Sequence, residues 1–401
     1  MTSDSGSITQ PRRGAPILAA TLLFTGVLVV ALLYAISHPV YDYVEYWTAA
    51  HLLASHHNPY SLGEMFQAER PLGMNGPVPL MLLSPPWLMG IILPLGFVQS
   101  YILGWFAWTA VLITAIAGSS YLLMEVYFGD LRIPEISDKA YYRCLFAFTF
   151  YPALLSLRFS QTAPLMLLGL AGFLFFETRH KPLCAGAFLS LTLVKPHLSY
   201  LVWAALLLWT LRERRWNMLI SAIVTLVVLT AIALPFDPRL LQHYHQLATS
   251  PYMELFPSGI MWGPRMLLGG IGTFWIEFVP PAIGLIWFLF YWRKKKDSWN
   301  WTERLPLIIT VSVLTSAYGW LFDQTLLVAA VMYIAAKAAR PLGSFPANMV
   351  LTYTAMNCLL MALWPFPTIG LLPAPIILLV LFVRDARRSS ALDAGTLMVA
   401  G

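Results

Sequence analysis

The chain has 401 residues, of which 58% are hydrophobic and only 11% are charged, and its formal net charge is +6. A soluble domain carries roughly 25% charged residues, so this composition cannot coat a large apolar core with a water-facing surface. The mean hydropathy of +0.68 and the apolar runs along the whole chain predict an all-α, polytopic membrane protein.

Apolar runs that approach the length of a membrane span follow one another through the chain. A bilayer core needs about 20 apolar residues per helix, and the candidate spans are 16–36, 79–95, 99–124, 143–158, 164–177, 183–210, 217–235, 272–292, 305–319, 321–337, 346–364 and 368–384. Lys and Arg accumulate on cytoplasmic loops. Basic clusters at 12–13, 212–215, 293–296 and 384–388 therefore predict both ends inside, with twelve crossings.

Prolines interrupt two of these runs and leave a second topology open. Pro85-Pro86 lies within 79–95, and Lys195-Pro196 lies within 183–210. Proline removes a helical hydrogen bond, and broken membrane helices tend to line cavities. If both segments enter the membrane and return to the same side, a topology of ten crossings also places these basic clusters in the cytoplasm. Either topology predicts one transmembrane domain over 15–388 with an external loop at 37–78, and disordered cytoplasmic tails at 1–14 and 389–401.

The external loop contains the first candidate site. Asp42 follows the first apolar run closely and is surrounded by tyrosines, and Glu45 comes three residues later, on the same face of a helix. A carboxylate at the membrane boundary is partly desolvated, which raises its pKa toward that of a useful general base. The alternative is an interfacial acid within a belt of aromatic residues. Further polar candidates in the loop are Tyr46, Asn58 and Tyr60.

A second group of polar candidates lies in or beside apolar runs. Lys195 is near the middle of 183–210, where a charge costs about 2.5–3.5 kcal/mol on insertion scales and usually faces a cavity with a partner. A bound phosphate and a structural carboxylate are equally good candidates for the partner of Lys195. Arg158, Gln161 and Arg265 are at the ends of apolar runs. Asp323 is placed to face Asp42 across one vestibule.

The sequence predicts neither a metal site nor a cofactor. His243 and His245 lack a second His/Asp cluster at ligand spacing, which favours an exposed amphipathic helix in an external loop. No G-x-x-x-x-G-K-[ST] phosphate loop and no soluble nucleotide-binding unit is present in the sequence.

The order of these motifs resembles glycosyltransferase family 87. The likeness runs from about residue 40 to 330 and rests on the D-x-x-x-Y-W-x-A-A and N-P-Y pattern of Asp42 to Tyr60, Pro85-Pro86 followed by Pro94-Leu95, Lys195-Pro196, and Ser316 to Asp323. Two motifs depart from the family pattern. Its Gly-Gln-x-Asn reads Ser160-Gln161-Thr162-Ala163 here, and Ala317 replaces a usual proline.

This resemblance implies a GT-C-type membrane glycosyltransferase in the cell membrane, with an extracytoplasmic active site. It implies a polyprenyl-phosphate-linked sugar, commonly mannose, as donor, and a glycolipid or glycan as acceptor, within membrane lipid and without nucleic acid. Its catalytic aspartate falls on Asp42 and its Lys-Pro motif on Lys195 and Pro196. A lipid-carrier flippase or other transporter is the alternative, since it also explains a buried lysine and broken helices. A structural subunit in which Asp42 and Lys195 are merely paired is the third possibility.

Overall fold

A computed structural model describes residues 41–129, 146–255, 259–341 and 345–399. These residues form helices and connecting turns, with no β-strand among them. The all-α prediction is thereby confirmed for the described part of the chain. The predicted span 16–36, the tail 1–14 and the first residues of the predicted span 143–158 lie outside it.

Seventeen α-helices are described in these ranges. In chain order they are α1 (Tyr41–Ala54), α2 (Leu62–Glu69), α3 (Trp87–Ile92), α4 (Tyr101–Phe128), α5 (Tyr151–Arg158), α6 (Ala163–Glu177), α7 (Pro182–Ser190), α8 (Tyr200–Glu213), α9 (Trp216–Ala233), α10 (Leu240–Ala248), α11 (Trp262–Leu268), α12 (Val279–Lys295), α13 (Trp301–Leu314), α14 (Val328–Ala339), α15 (Ala347–Ala362), α16 (Pro367–Gly370) and α17 (Pro373–Val399). Short 3₁₀ segments extend several of them, notably Leu93–Phe97, Leu191–Val194 and Leu321–Leu327.

Five helical stretches in the described ranges are long and apolar enough to cross a membrane. They are Tyr101–Phe128, Trp216–Ala233, Gly272–Ser298, Leu321–Ala339 and Pro367–Arg387. Helix α9 exposes an apolar face that includes Ile223, Val224 and Val227, each more than half exposed. A continuous apolar surface of this kind is stable in lipid and not in water. Composition and structure therefore agree that this is a membrane protein.

Helix α6 forms the centre of the described structure. It contacts α4, α7, α13, α14 and the 3₁₀ segment Leu321–Leu327. Nearly every side chain from Ala163 to Leu174 is buried, so neighbouring helices enclose this apolar helix on all sides. The residues just before and after this helix are thus held in the protein interior.

The two proline-containing runs are broken, as the sequence predicts. Residues 79–86 are non-helical before α3 begins at Trp87. The second run divides into α7, two 3₁₀ turns and α8, with Lys195 between the turns at φ −132° and ψ 81°. A residue before proline is pushed out of the α-helical region, so Pro196 accounts for the break at Lys195.

Helix α1 packs closely against the 3₁₀ segment Leu93–Phe97 that extends α3. Gly96 makes this approach possible, because a Cβ atom there would collide with the backbone carbonyl of Ala50. The contact fixes α1, which carries Asp42, against α3 and its 3₁₀ extension.

Candidate active site

Helix α1 presents three of the predicted site residues on one side. Asp42 and Glu45 are half-buried, and Tyr46 is almost fully buried with its ring centroid 5.9 Å from that of Trp108. Positions i, i+3 and i+4 share one face of a helix, which explains how one short segment supplies all three side chains.

The turn between α5 and α6 carries Gln161 to Asp42. Ser160 adopts a left-handed conformation with φ 57°. Two indoles from α4 hold it there: Trp108 Nε1 donates to the Ser160 carbonyl at 2.8 Å, and Trp105 Nε1 donates to Ser160 Oγ at 3.2 Å. With this turn fixed, Gln161 Nε2 donates to Asp42 Oδ2 at 2.7 Å.

Lys195 joins the same site from the broken helix between α7 and α8. Its Nζ donates to Gln161 Oε1 at 2.8 Å and to Asp323 Oδ1 at 2.7 Å, and it lies 5.1 Å from the centre of the Phe322 ring. Side chains satisfy backbone groups that the break exposes, for example the Leu193 carbonyl, which accepts from Trp87 Nε1 at 2.8 Å. The broken segment is therefore a defined structure.

Asp323 completes a continuous network of four side chains. It is 1% exposed and lies at the start of the 3₁₀ segment Leu321–Leu327, where its Oδ2 accepts from the Trp320 backbone N–H at 2.9 Å. Asp42, Gln161, Lys195 and Asp323 are thus linked by hydrogen bonds of 2.7–2.8 Å. We define these four residues as the polar network.

The two acids of α1 have raised pKa values. Burial raises the pKa of Asp42, while the Gln161 hydrogen bond and the charge of Lys195 oppose that shift. Burial, together with the charge of Asp42, raises the pKa of Glu45 well above its ordinary value. Glu45 has no hydrogen bond to any residue that the structure describes, so its carboxyl group is available to a ligand.

Asn58 and Tyr60 make contacts that stabilise the segment between α1 and α3. Asn58 Oδ1 accepts from the Tyr60 backbone N–H at 2.9 Å, which closes a turn. The Tyr60 hydroxyl donates to the Ser84 carbonyl at 3.2 Å, and its ring packs against that of Tyr244. These contacts are with loop residues and do not include the polar network.

The two predicted arginines lie in different surroundings. Arg158, at the end of α5, is exposed, with its guanidinium 5.6 Å from the centre of the Phe159 ring. Arg265, in α11, is 1% exposed; it lies 3.6 Å from a Glu277 oxygen and donates to the Glu254 carbonyl at 3.1 Å. Lys195 is thus the cation that the structure shows hydrogen-bonded to Gln161 and Asp323.

Sequence reasoning did not select Glu69, Trp105 or Trp108. Glu69 is 2% exposed, one carboxylate oxygen accepts from the Leu80 backbone N–H at 2.9 Å, and burial raises its pKa to about 7. The tryptophans orient the Ser160 turn and have no motif of their own. Their roles depend on contacts between distant segments, so no local signal in the sequence could have identified them.

Little free space adjoins Asp323. A void that Asp323 helps to line holds only about 10 Å³, no more than one water molecule needs. A larger cavity of about 680 Å³ lies between α14, α15 and α17, next to Lys337 and Arg384. Lys337 is at the far end of Leu321–Ala339 from Asp323, so that cavity is separate from the network. Asp42, Glu45 and Lys195 are the partly exposed residues of the site.

Within the described ranges, no group of three or more His, Cys, Asp or Glu residues could hold a metal ion. His243 lies on α10, where its Nδ1 is 2.7 Å from Asp237 Oδ2, and His245 is exposed on the same helix. The helix predicted for this segment is present, and His243 is paired with an acid instead of being fully exposed.

The helical membrane fold and the buried ionisable network define a polytopic membrane protein with a polar interior site. The sequence model of glycosyltransferase family 87 matches residues 82–364, which is most of the chain. The chain therefore belongs to glycosyltransferase family 87 and is a membrane glycosyltransferase. No curated protein and no solved structure matches it. The matched range includes Gln161, Lys195 and Asp323, whereas Asp42 precedes it.

Proposed function

We propose that this glycosyltransferase moves a hexose, with mannose as the first candidate, from a polyprenyl-phosphate carrier to an acceptor hydroxyl. The acceptor class is a glycolipid or glycan, and the reaction inverts the anomeric carbon. One observation carries the proposal: Asp42, Gln161, Lys195 and Asp323, from four separate segments, form one hydrogen-bonded network in a membrane protein of this family.

The chemistry needs a base for the acceptor and positive charge near the donor. A sugar phosphate already has a good leaving group, so one carboxylate that removes the acceptor proton is sufficient. In the proposal Asp42 is that base. Lys195 uses two N–H groups on Gln161 and Asp323, and an ammonium has three donors. The third N–H is assigned to the departing phosphate, whose charge it stabilises.

The remaining predicted residues take supporting roles in this proposal. Glu45 is assigned to an acceptor hydroxyl, because it is half-buried on the Asp42 face and has no hydrogen bond within the described chain. Tyr46 supports Gln161. Arg265 and Arg158 are reserve candidates for the lipid phosphate, and Asn58 and Tyr60 maintain the loop.

We further propose that the site faces the extracytoplasmic side of the cell membrane within a GT-C-type architecture of ten to twelve crossings. The basic clusters at 212–215 and 293–296 support this orientation when they are cytoplasmic. Cysteine-accessibility labelling of a Ser55→Cys variant of the Asp42 loop tests it, because Ser55 is exposed. Labelling only from the cytoplasmic side would contradict the orientation.

The central test is transfer of radiolabelled mannose from polyprenyl-phosphate mannose in membranes that contain Asp42→Asn. This change keeps the shape of the side chain and removes the base, so we expect transfer to fall by at least about 10²-fold. Glu64→Gln is the matched control, because Glu64 is an acid of the same external region that pairs with the exposed His57. Full transfer by Asp42→Asn would contradict the proposal. Movement of the lipid-linked sugar across the membrane without transfer would favour the flippase alternative.

A further inference from the structure

The amide of Gln161 lies between Asp42 and Lys195, with both ends engaged. Its Nε2 donates to Asp42 Oδ2 at 2.7 Å, and its Oε1 accepts from Lys195 Nζ at 2.8 Å and from the Tyr46 hydroxyl at 3.2 Å. A lysine ammonium can only donate, so the atom facing it must be the amide oxygen. Chemistry therefore fixes which way the amide points.

Hydrogen bonds to the backbone of Gln161 and to Ser160 also hold Gln161 in place. Its N–H donates to the Ser156 carbonyl at 2.8 Å, and the preceding Ser160 is held by two indoles of α4. The side chain is 6% exposed. A buried amide with a fixed backbone and three hydrogen bonds has no freedom to rotate toward a ligand.

From Lys195 one hydrogen bond runs to Asp323, and two consecutive bonds run through Gln161 to Asp42. Asp323 holds the Lys195 ammonium, Lys195 donates to the amide oxygen, and the amide nitrogen donates to Asp42. In a chain of this kind each bond polarises the next, by about 10–30% per bond. The positive charge of Lys195 therefore strengthens the hydrogen bond that Asp42 accepts from Gln161, although Lys195 itself does not contact the Asp42 carboxylate.

We propose that Gln161 is a positioning residue, which holds Asp42 Oδ2 and leaves Oδ1 as the atom that accepts the proton. This inference rests on the proposed function, in which Asp42 is the base. The acceptor O–H proton moves to Oδ1 while the acceptor oxygen bonds to the anomeric carbon. The bond from that carbon to the phosphate oxygen breaks, and the phosphate leaves with the electron pair. Within the described chain Oδ1 has no hydrogen bond, so it is open to this proton.

The electrostatics of Asp42 support this assignment. Burial raises its pKa, and the Gln161 hydrogen bond is the larger of the two influences that lower it. A base must be ionised to accept a proton. Loss of the Gln161 donor therefore raises the pKa of Asp42 and moves the acidic limb of the pH–rate profile to higher pH.

Gln161→Met tests the inference, because methionine has a similar length and cannot donate a hydrogen bond. We expect kcat to fall by about 10²-fold and the acidic limb of the kcat profile to shift upward by about one pH unit. The KM values for polyprenyl-phosphate mannose and for the acceptor should stay within about threefold. Gln324→Met is the matched control, because Gln324 is also buried but donates to the Leu371 carbonyl. Its profile should not shift.

Tyr46→Phe provides a second test that removes only one hydroxyl and preserves packing. It takes away one of the two donors to the Gln161 oxygen, so we expect a smaller shift of the acidic limb in the same direction. An unshifted profile in both variants, with raised KM, would mean that Gln161 contacts a substrate, and the inference would be wrong. An equal shift in Gln324→Met would mean that any buried change perturbs the site.

The failure of this inference can be distinguished from failure of the proposed function. If Asp42→Asn remains active, Asp42 is not the base and the proposed mechanism fails, whatever Gln161→Met does. If Asp42→Asn is inactive while Gln161→Met retains an unshifted profile, only the positioning role fails.

Discussion

The buried ion pair of Lys195 and Asp323 should contribute measurably to the free energy of unfolding. The two charged atoms are 2.7 Å apart, and the side chains are 11% and 1% exposed. Removing one partner from a buried pair costs about 3–5 kcal/mol, because the other charge is left without compensation. Asp323→Asn should lie at the lower end of that range, since Lys195 keeps the Gln161 acceptor and a little solvent access. Lys195→Met should lie at the upper end, because Asp323 is almost fully enclosed.

The double variant, Lys195→Met with Asp323→Asn, leaves no isolated charge in the interior. We therefore expect it to be about 2–3 kcal/mol less destabilised than the sum of the two single variants. The free energy of unfolding of each protein can be measured by titrating SDS into mixed micelles and following helix content by circular dichroism.

The pair of Lys337 and Asp385 serves as the control for this cycle. Its side chains are 39% and 40% exposed, and exposed ion pairs contribute about 0–1 kcal/mol. The same substitutions, Lys337→Met and Asp385→Asn, should therefore be nearly additive. If the cycle at Lys195 and Asp323 is as additive as this one, the buried pair is not the stabilising element that we infer.

Three further predictions concern the surroundings of the network. Gly96→Val should lower the melting temperature in detergent by several degrees, because its Cβ would collide with the Ala50 carbonyl of α1; an unchanged melting temperature would contradict that packing. The pKa of Glu69 is raised to about 7 from an ordinary value near 4.5, so protonation favours the folded state and stability should decline as pH rises between these values. Glu69→Gln should abolish that decline and be more stable than the parent at pH 8 by about 3 kcal/mol. Trp108→Phe should lose about 1–2 kcal/mol of unfolding free energy and should reduce transfer, because the Ser160 carbonyl loses its donor; normal stability would count against that bond.

The sequence was sufficient to predict the class of the protein and several of its residues. Low charge and repeated apolar runs require a membrane fold, because no other environment accommodates that composition. The break at Lys195 follows from Pro196, since the restriction on the residue before proline is local. The family resemblance is confirmed over residues 82–364. The twelve-crossing and ten-crossing topologies stay predictions.

The contacts between segments could be read only from the tertiary structure. The sequence left Lys195 with either a phosphate or a carboxylate as its partner, and the fold brings it to Asp323, 128 residues away. It indicated Asp42 and Gln161 separately, and nothing local shows that a turn held by two indoles joins them.

The physical reason is that some effects act between neighbours in the chain, whereas others act between segments that are distant in sequence. Hydropathy and proline act on a residue and its immediate neighbours, so they can be read along the chain. The direction of the Gln161 amide depends on Asp42, Tyr46 and Lys195 at once. These three residues are distant in sequence from Gln161 and meet only after the helices pack around α6. Composition therefore determined that this protein lies in a membrane. Helix packing determined that Asp42, Gln161, Lys195 and Asp323 share one interior site.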